Sequence, residues 1–359
     1  MDMTIYAFYN NKGGVGKTTL CQHAASLYAE KHPSKHVLVI DMCPQANVSQ
    51  FLLGGGPSGY NTNQSLQTQS SRKNVVGFVE WLLRGNAGFT TPNTSYSVQP
   101  SKYNPHIPDN LYLIAGDNFL ESLSLALNYA VINPANLQAW QEYMTAIRRL
   151  SEHESANVTG YKSTTVFIDC NPSFSVYTQM ALLSSDYLLV PMMADYTSIE
   201  GIKGIFSMLY GKYPSAATQK YAQNIVTFSK QVAQFQMSAP VIYEFIFNNF
   251  TSMSGIATAY GSLKDELTDF CYQQYQQSPG LFAVPSVVPK TVDEWRKEFV
   301  SDVKDFHTAG KVSAALGIPL HKLPAEHSYL MPDGTKIEVP AGNYPKAVEN
   351  IRAFVAALR

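Results

Sequence analysis

Apolar residues along this chain gather into short uninterrupted runs, with longer stretches of helical spacing between them. Ile5–Tyr9 is rich in β-formers and leads straight into a glycine loop, after which Thr18–Lys31 carries apolar positions at helical spacing. That order predicts strand, loop, helix. Val37–Ile40, Thr165–Ile168 and Tyr187–Val190 are continuous and rich in branched residues, as is Val241–Phe247 apart from one glutamate. Such runs fit strands buried on both faces of a parallel sheet. With helices predicted between them, notably over Val176–Leu183 and Ile199–Tyr210, the alternation predicts an α/β fold: a doubly wound, mostly parallel sheet flanked by helices.

Elsewhere the pattern is weaker. From Gly54 to about Asn110 the sequence turns to Gly, Ser, Thr, Asn, Gln and Pro, with few charges. We read residues 55–110 as a polar, loop-rich insertion after the second strand of a single 359-residue domain, and a mobile surface loop is expected. Within it Val75–Leu83 has helical spacing. Leu111–Ala115 predicts a further strand, Phe119–Tyr129 and Leu137–Leu150 two helices, Met331–Thr335 a hairpin turned at Asp-Gly, and Pro345–Leu358 a closing helix.

Composition narrows the functional classes. The chain is 45% hydrophobic and 15% charged with net charge −1, so no global field marks a nucleic-acid or membrane binder. Cys21, Cys43, Cys170 and Cys271 lie far apart, without a C-x-x-C pair or histidine spacing for zinc. Met1–Phe8 lacks a basic region followed by a long apolar stretch, and no run approaches the ~18 residues that span a bilayer. A reduced, soluble, cytoplasmic protein is expected.

The chemistry is concentrated in Lys12-Gly13-Gly14-Val15-Gly16-Lys17-Thr18-Thr19. Gly16-Lys17-Thr18 fits the end of G-x-x-x-x-G-K-[ST], although Asn11 stands at its first position. Glycines let backbone N–H groups curl around phosphate, and the following helix presents its positive end to the same anion. Lys17 would reach the β- and γ-phosphates of ATP, and the Thr18 hydroxyl would bind Mg²⁺. Asp169, at the tip of a buried run, sits where α/β sheets place ligands, and would also hold the metal.

Lys12 extends the match. The run K-G-G-x-G-K-[ST]-T resembles the deviant Walker A loop of the ParA/MinD family, whose first lysine reaches the partner's nucleotide across a dimer. Val39-Ile-Asp41-Met-Cys43-Pro-Gln-Ala-Asn47 is similar to that family's D-x-D-P-Q-[GA]-N switch segment, and Phe167-Ile-Asp169-Cys-Asn-Pro-Ser173 to its Walker B segment. Leu188-Leu-Val-Pro191, Glu200-Gly201 and Tyr344-Pro-Lys346 also match. Ile246-Phe-Asn248-Asn-Phe250 resembles the strand whose asparagine holds adenine, with Asn248 in that role. The resemblance implies a homodimer with ATP sandwiched between subunits, with Lys12, Lys17 and Asp41 serving the reaction. Gly13 to Thr19 and Asn248 would bind nucleotide, and Thr18, Asp41 and Asp169 would serve Mg²⁺.

One position departs from the pattern. Cys43 stands where the family usually has an aspartate that positions the attacking water, and a thiol is a weak acceptor. Slow hydrolysis, a non-hydrolysing ATP-dependent switch, ordinary turnover with another group orienting the water, or a shifted switch segment in which Asp41 does that work are the alternatives. The ParA resemblance further implies non-specific DNA binding, nucleoid association and a ParB-like activator. Lys290, Arg296, Lys297, Lys304 and Lys311 are the basic candidates, on C-terminal helices and interleaved with acids. A MinD-like membrane helix is the other alternative. The stripe Ala347, Ile351, Phe354, Val355 and Leu358 has few lysines beside it, so packing into the core, with no membrane contact, is expected.

Overall fold

In a computed structural model, residues 2–88, 91–92, 94–250, 257–342 and 344–359 are described. Seven strands form one sheet: β1 (Asp2–Phe8), β2 (Lys35–Met42), β3 (Leu111–Ile114), β4 (Ser163–Cys170), β5 (Tyr187–Met192), β6 (Val241–Phe250) and β7 (Val300–Lys304). Their order is β3-β2-β4-β1-β5-β6-β7, and every pairing is parallel. Two apolar layers cover the two faces. One gathers Ile40, Ile168, Val190 and Phe206, and the other Phe8, Val39, Phe167 and Phe354. Because both faces are dry, the inner strands need apolar residues at every position, which explains their legibility.

β1 lies between β4 and β5, although β2 follows it in the chain. The chain therefore leaves β1 in one direction and returns across it later, the arrangement that opens a ligand crevice at the carboxyl ends of the strands. Pairing of Asp41 with Asp169 on β2 and β4, and of Phe8 with Asp169 on β1 and β4, brings both carboxylates level with the start of the glycine loop.

Several expectations need correction. Gly56–Gln67 is a helix, where composition predicts loop. Its polar residues are weak helix formers, so packing decides the outcome: a Cβ on Gly59 would stand 1.8 Å from the Gln50 carbonyl oxygen, a backbone approach only glycine allows. Val75–Trp81 is helical, as its spacing predicts. The helix expected over 119–129 is divided into Phe119–Ser122 and Ser124–Val131, and that over 137–150 into Ala139–Met144 and Ala146–Asn157.

The basic C-terminal stretch is not a pair of helices alone. Val292–Phe299 runs directly into β7, and the helix His307–Leu316 follows. β7 escapes sequence reading because it is a charged edge strand, with Asp302 and Lys304 in a five-residue span. The hairpin forms from β8 (His327–Leu330) and β9 (Lys336–Val339), with Gly334 at φ 83°. The last helix, Tyr344–Ala357, buries its stripe: Phe354 is 1% exposed and lies 6.4 Å, ring to ring, from Phe8.

Candidate nucleotide site

The loop after β1 is held by Asn10. Its Nδ2 donates to the Pro191 carbonyl at 2.8 Å, and its Oδ1 accepts from Lys12 N at 3.0 Å. Gly14 and Gly16 take φ of 76° and 88°, the left-handed region that side chains rarely enter. Gly16 caps the helix Lys17–Lys31, so the loop's amides and the helix N-terminus face one cleft. That cleft, about 530 Å³, is lined by Gly13 to Thr19 (apart from Val15) and by Cys43, Glu121, Cys170 and Asn171. Val15 is turned into the core.

Lys17 is almost wholly buried, and its Nζ donates to the carbonyls of Asn10 at 3.0 Å and Lys12 at 2.8 Å. Burial pulls its pKa down, with Asp169 opposing. Thr18 Oγ1 donates to Asp169 Oδ2 at 2.8 Å, while Asp169 Oδ1 is buried with no partner. Burial pushes the Asp169 pKa up, and the charge of Asp41 pushes it further. Two buried carboxylates side by side are costly, and a bound cation reverses that cost. An orphaned carboxylate oxygen next to a threonine hydroxyl fits Mg²⁺. Among the described residues there is no cluster of three or more His, Cys, Asp or Glu for a metal, and Mg²⁺ in nucleotide sites needs none, since phosphates and waters complete its shell.

Asp41 does more than its expected role requires. Its Oδ1 accepts from Cys43 N at 3.1 Å, and its Oδ2 from Ser49 N at 3.0 Å and Ser49 Oγ at 2.7 Å. The carboxylate thus fastens the turn that carries Cys43 to the end of β2. Cys43 is buried as an uncharged thiol, pushed up to about 12 by burial and by Asp41 and Asp169. Asn248 reaches the loop from β6: its Nδ2 donates to the Val15 carbonyl at 3.2 Å, and its Oδ1 is buried with no partner.

Sequence reading missed Asp195 and Ser198. Asp195 caps the helix Tyr196–Tyr210, accepting from Ser198 N at 2.8 Å, and also pairs with Lys12, whose Nζ lies 3.3 Å from Ser198 Oγ. A cap signal was readable there, but nothing joined it to Lys12. Glu121 and Tyr177 were missed as well, and no local pattern marks them.

A parallel sheet whose central strand opens into such a loop, with a threonine–aspartate pair beneath it, defines a P-loop nucleotide-binding protein. The chain belongs to the AAA domain family, whose model matches residues 3–212. It is 26% identical over 203 residues to the chromosome-partitioning ATPase Soj of Thermus thermophilus, a match covering 56% of this chain and 60% of Soj. An uncharacterized Pseudomonas putida protein is 27% identical over 202 residues, again 56% and 60% of the two chains. The match thus spans about 60% of the length of these relatives. In fold, the chain is similar to the ATP complex of a McdA variant from Cyanothece, with TM-score 0.54 and 15% identity over 99% of this chain and 96% of that one. It is likewise similar to the pnob8 ParA structure, with TM-score 0.50 and 17% identity over 83% and 81% of the two chains. The ParA-like fold expected from the loop and strand motifs is therefore the fold of this chain.

Proposed function

We propose that this protein is a MgATP-dependent partition or positioning ATPase that pairs with a second copy around bound nucleotide. The observation that carries this is the Thr18–Asp169 pair, with its buried, unpartnered Asp169 oxygen beneath the glycine loop. Gly13 to Thr19 would bind the phosphates through backbone amides, and Lys17 would leave the loop carbonyls for the β- and γ-phosphates. Thr18 and Asp169 would hold Mg²⁺, which when bound neutralises phosphate charge. Asp41 would support its water shell and keep the turn of Cys43 in place, and Asn248 would meet the base.

Lys12 would cross to the partner's nucleotide. Soj, by its name a chromosome-partitioning ATPase, supports a role in segregating DNA or placing cargo, and a cytoplasmic protein stimulated by a ParB-like partner fits that role. Among the described residues no helix is long and apolar enough to cross a membrane. Non-specific DNA binding would draw on Lys290, Arg296, Lys297, Lys304 and Lys311.

Light scattering with and without MgATP, steady-state ATP turnover, and retention on random duplex DNA at rising salt test this reading. Expected are ATP-dependent dimers, slow turnover and DNA binding that falls steeply with salt. Failure to bind MgATP would overturn it. The second reading, a switch that binds without hydrolysing, is favoured by the neutral thiol of Cys43, and turnover absent from the wild type but present in Cys43→Asp would establish it.

A further inference from the structure

Hydrolysis of ATP is accelerated by a group that orients the attacking water and can take its proton as the water oxygen bonds to the γ-phosphorus. Three of the groups near the cleft are poorly placed or poorly suited for this. Asp169 is wholly buried, accepts from Thr18 and does not itself line the cleft. Asp41 is wholly buried, with both oxygens engaged by Ser49 and Cys43, and does not line the cleft. Cys43 lines it, but a thiol is only a weak acceptor. Glu121 remains, the one carboxylate among the described residues that line the cleft.

Its side chain is held from behind. Tyr177, fully buried, donates its hydroxyl to Glu121 Oε2 at 2.6 Å, and the same oxygen of Tyr177 accepts from Asn171 Nδ2 at 2.6 Å. Asn171 lies two residues beyond Asp169 and lines the cleft too. The hydrogen-bonded row Asn171–Tyr177–Glu121 thus ties the carboxylate to the segment that carries the metal-binding aspartate. A single bond to Oε2 leaves Oε1 able to accept. The bond from a buried tyrosine fixes an otherwise mobile surface acid in one position, which is what a group that must orient a water needs.

We infer that Glu121 is the residue that orients and deprotonates the attacking water in this chain, with Tyr177 as its positioning residue. The inference rests on the ATPase reading above. One water O–H gives its proton to Glu121 Oε1 while the water oxygen bonds to the γ-phosphorus. The bond from that phosphorus to the β–γ bridging oxygen breaks, its electron pair stays on ADP, and the proton leaves Glu121 with phosphate or to solvent.

Single-turnover hydrolysis, affinity for a fluorescent ATP analogue, and chromatography of the nucleotide that stays bound form the test, applied to wild type, Glu121→Gln, Glu121→Asp, Tyr177→Phe and the double variant Glu121→Gln with Cys43→Asp. Glu121→Gln should bind analogue within ~2-fold of wild type, lose ~100-fold or more in hydrolysis, and retain ATP where wild type retains ADP. Glu121→Asp should keep part of the rate, and Tyr177→Phe should lose ~10-fold in turnover with unchanged affinity. The double variant should recover turnover, since it supplies a carboxylate from the Cys43 side. Glu121→Gln hydrolysing within ~3-fold of wild type would overturn the assignment, as would a wild type that binds MgATP tightly yet leaves it intact. A wild type that binds no nucleotide would instead overturn the ATPase reading itself, and the inference with it.

Discussion

Asn248 and Gly16 meet across the sheet: a Cβ on Gly16 would stand 1.9 Å from Asn248 Nδ2, the atom that donates to the Val15 carbonyl. β6 thereby braces the phosphate loop directly. Gly16→Ala must enter the left-handed region, at a cost of ~1–2 kcal/mol, and displace a buried asparagine as well. The variant should fold, with MgATP affinity reduced ~10-fold or more by fluorescent-nucleotide titration. Wild-type affinity would show that the contact is incidental.

Lys12, proposed to reach the partner's nucleotide, is engaged within its own chain by Asp195 and Ser198. The side chains of the pair are 21% and 38% exposed, so their attraction is worth ~1 kcal/mol at most. A contact this weak can yield to a phosphate. Asp195→Asn keeps an acceptor for the helix cap and frees Lys12. It should leave the melting temperature nearly unchanged and lower the concentration for half-maximal ATP-dependent dimerisation by up to ~5-fold. An unchanged midpoint in light scattering argues against any latch.

Glu244 on β6 is 6% exposed, bonded to Ser301 Oγ through one oxygen, while the other is buried without a partner. Burial pushes its pKa up to about 7. The folded chain therefore holds a proton that the unfolded chain has released between the ordinary carboxylate value and pH 7. Stability from this group is complete below that ordinary value and is lost as pH rises through 7. Urea unfolding at pH 5 and pH 8 should show wild type losing on the order of 2 kcal/mol relative to Glu244→Gln. Parallel profiles for the two proteins would exclude the effect.

Phe354 packs its ring against Phe8 from the final helix. Phe354→Ala should cost ~3–5 kcal/mol in chemical denaturation. A loss below ~1 kcal/mol would mean that the stripe is not part of the core and is free to meet a membrane.

The inner strands were legible in the chain because a parallel sheet covered on both faces demands apolar side chains without interruption. β7 was not, since an edge strand needs charges that read as surface. Gly56–Gln67 was not, since its helix rests on close backbone approach rather than on propensity. The glycine loop, Thr18 and Asp169 could be read from their own chemistry, whereas Lys12, Asp41 and Asn248 were singled out only by resemblance to a known family.

By itself, then, the sequence determined the phosphate loop and the parallel sheet that presents it. Both follow from local chemistry: glycines that admit positive φ, and β-branched runs that must be buried. Only the tertiary structure decided what surrounds the phosphates. Glu121 and Tyr177 are 56 residues apart, and Lys12 and Asp195 are 183 apart. No periodicity links residues so distant: Lys12 and Asp195 meet because β5 pairs with β1, and Glu121 and Tyr177 because the segments that follow β3 and β4 converge.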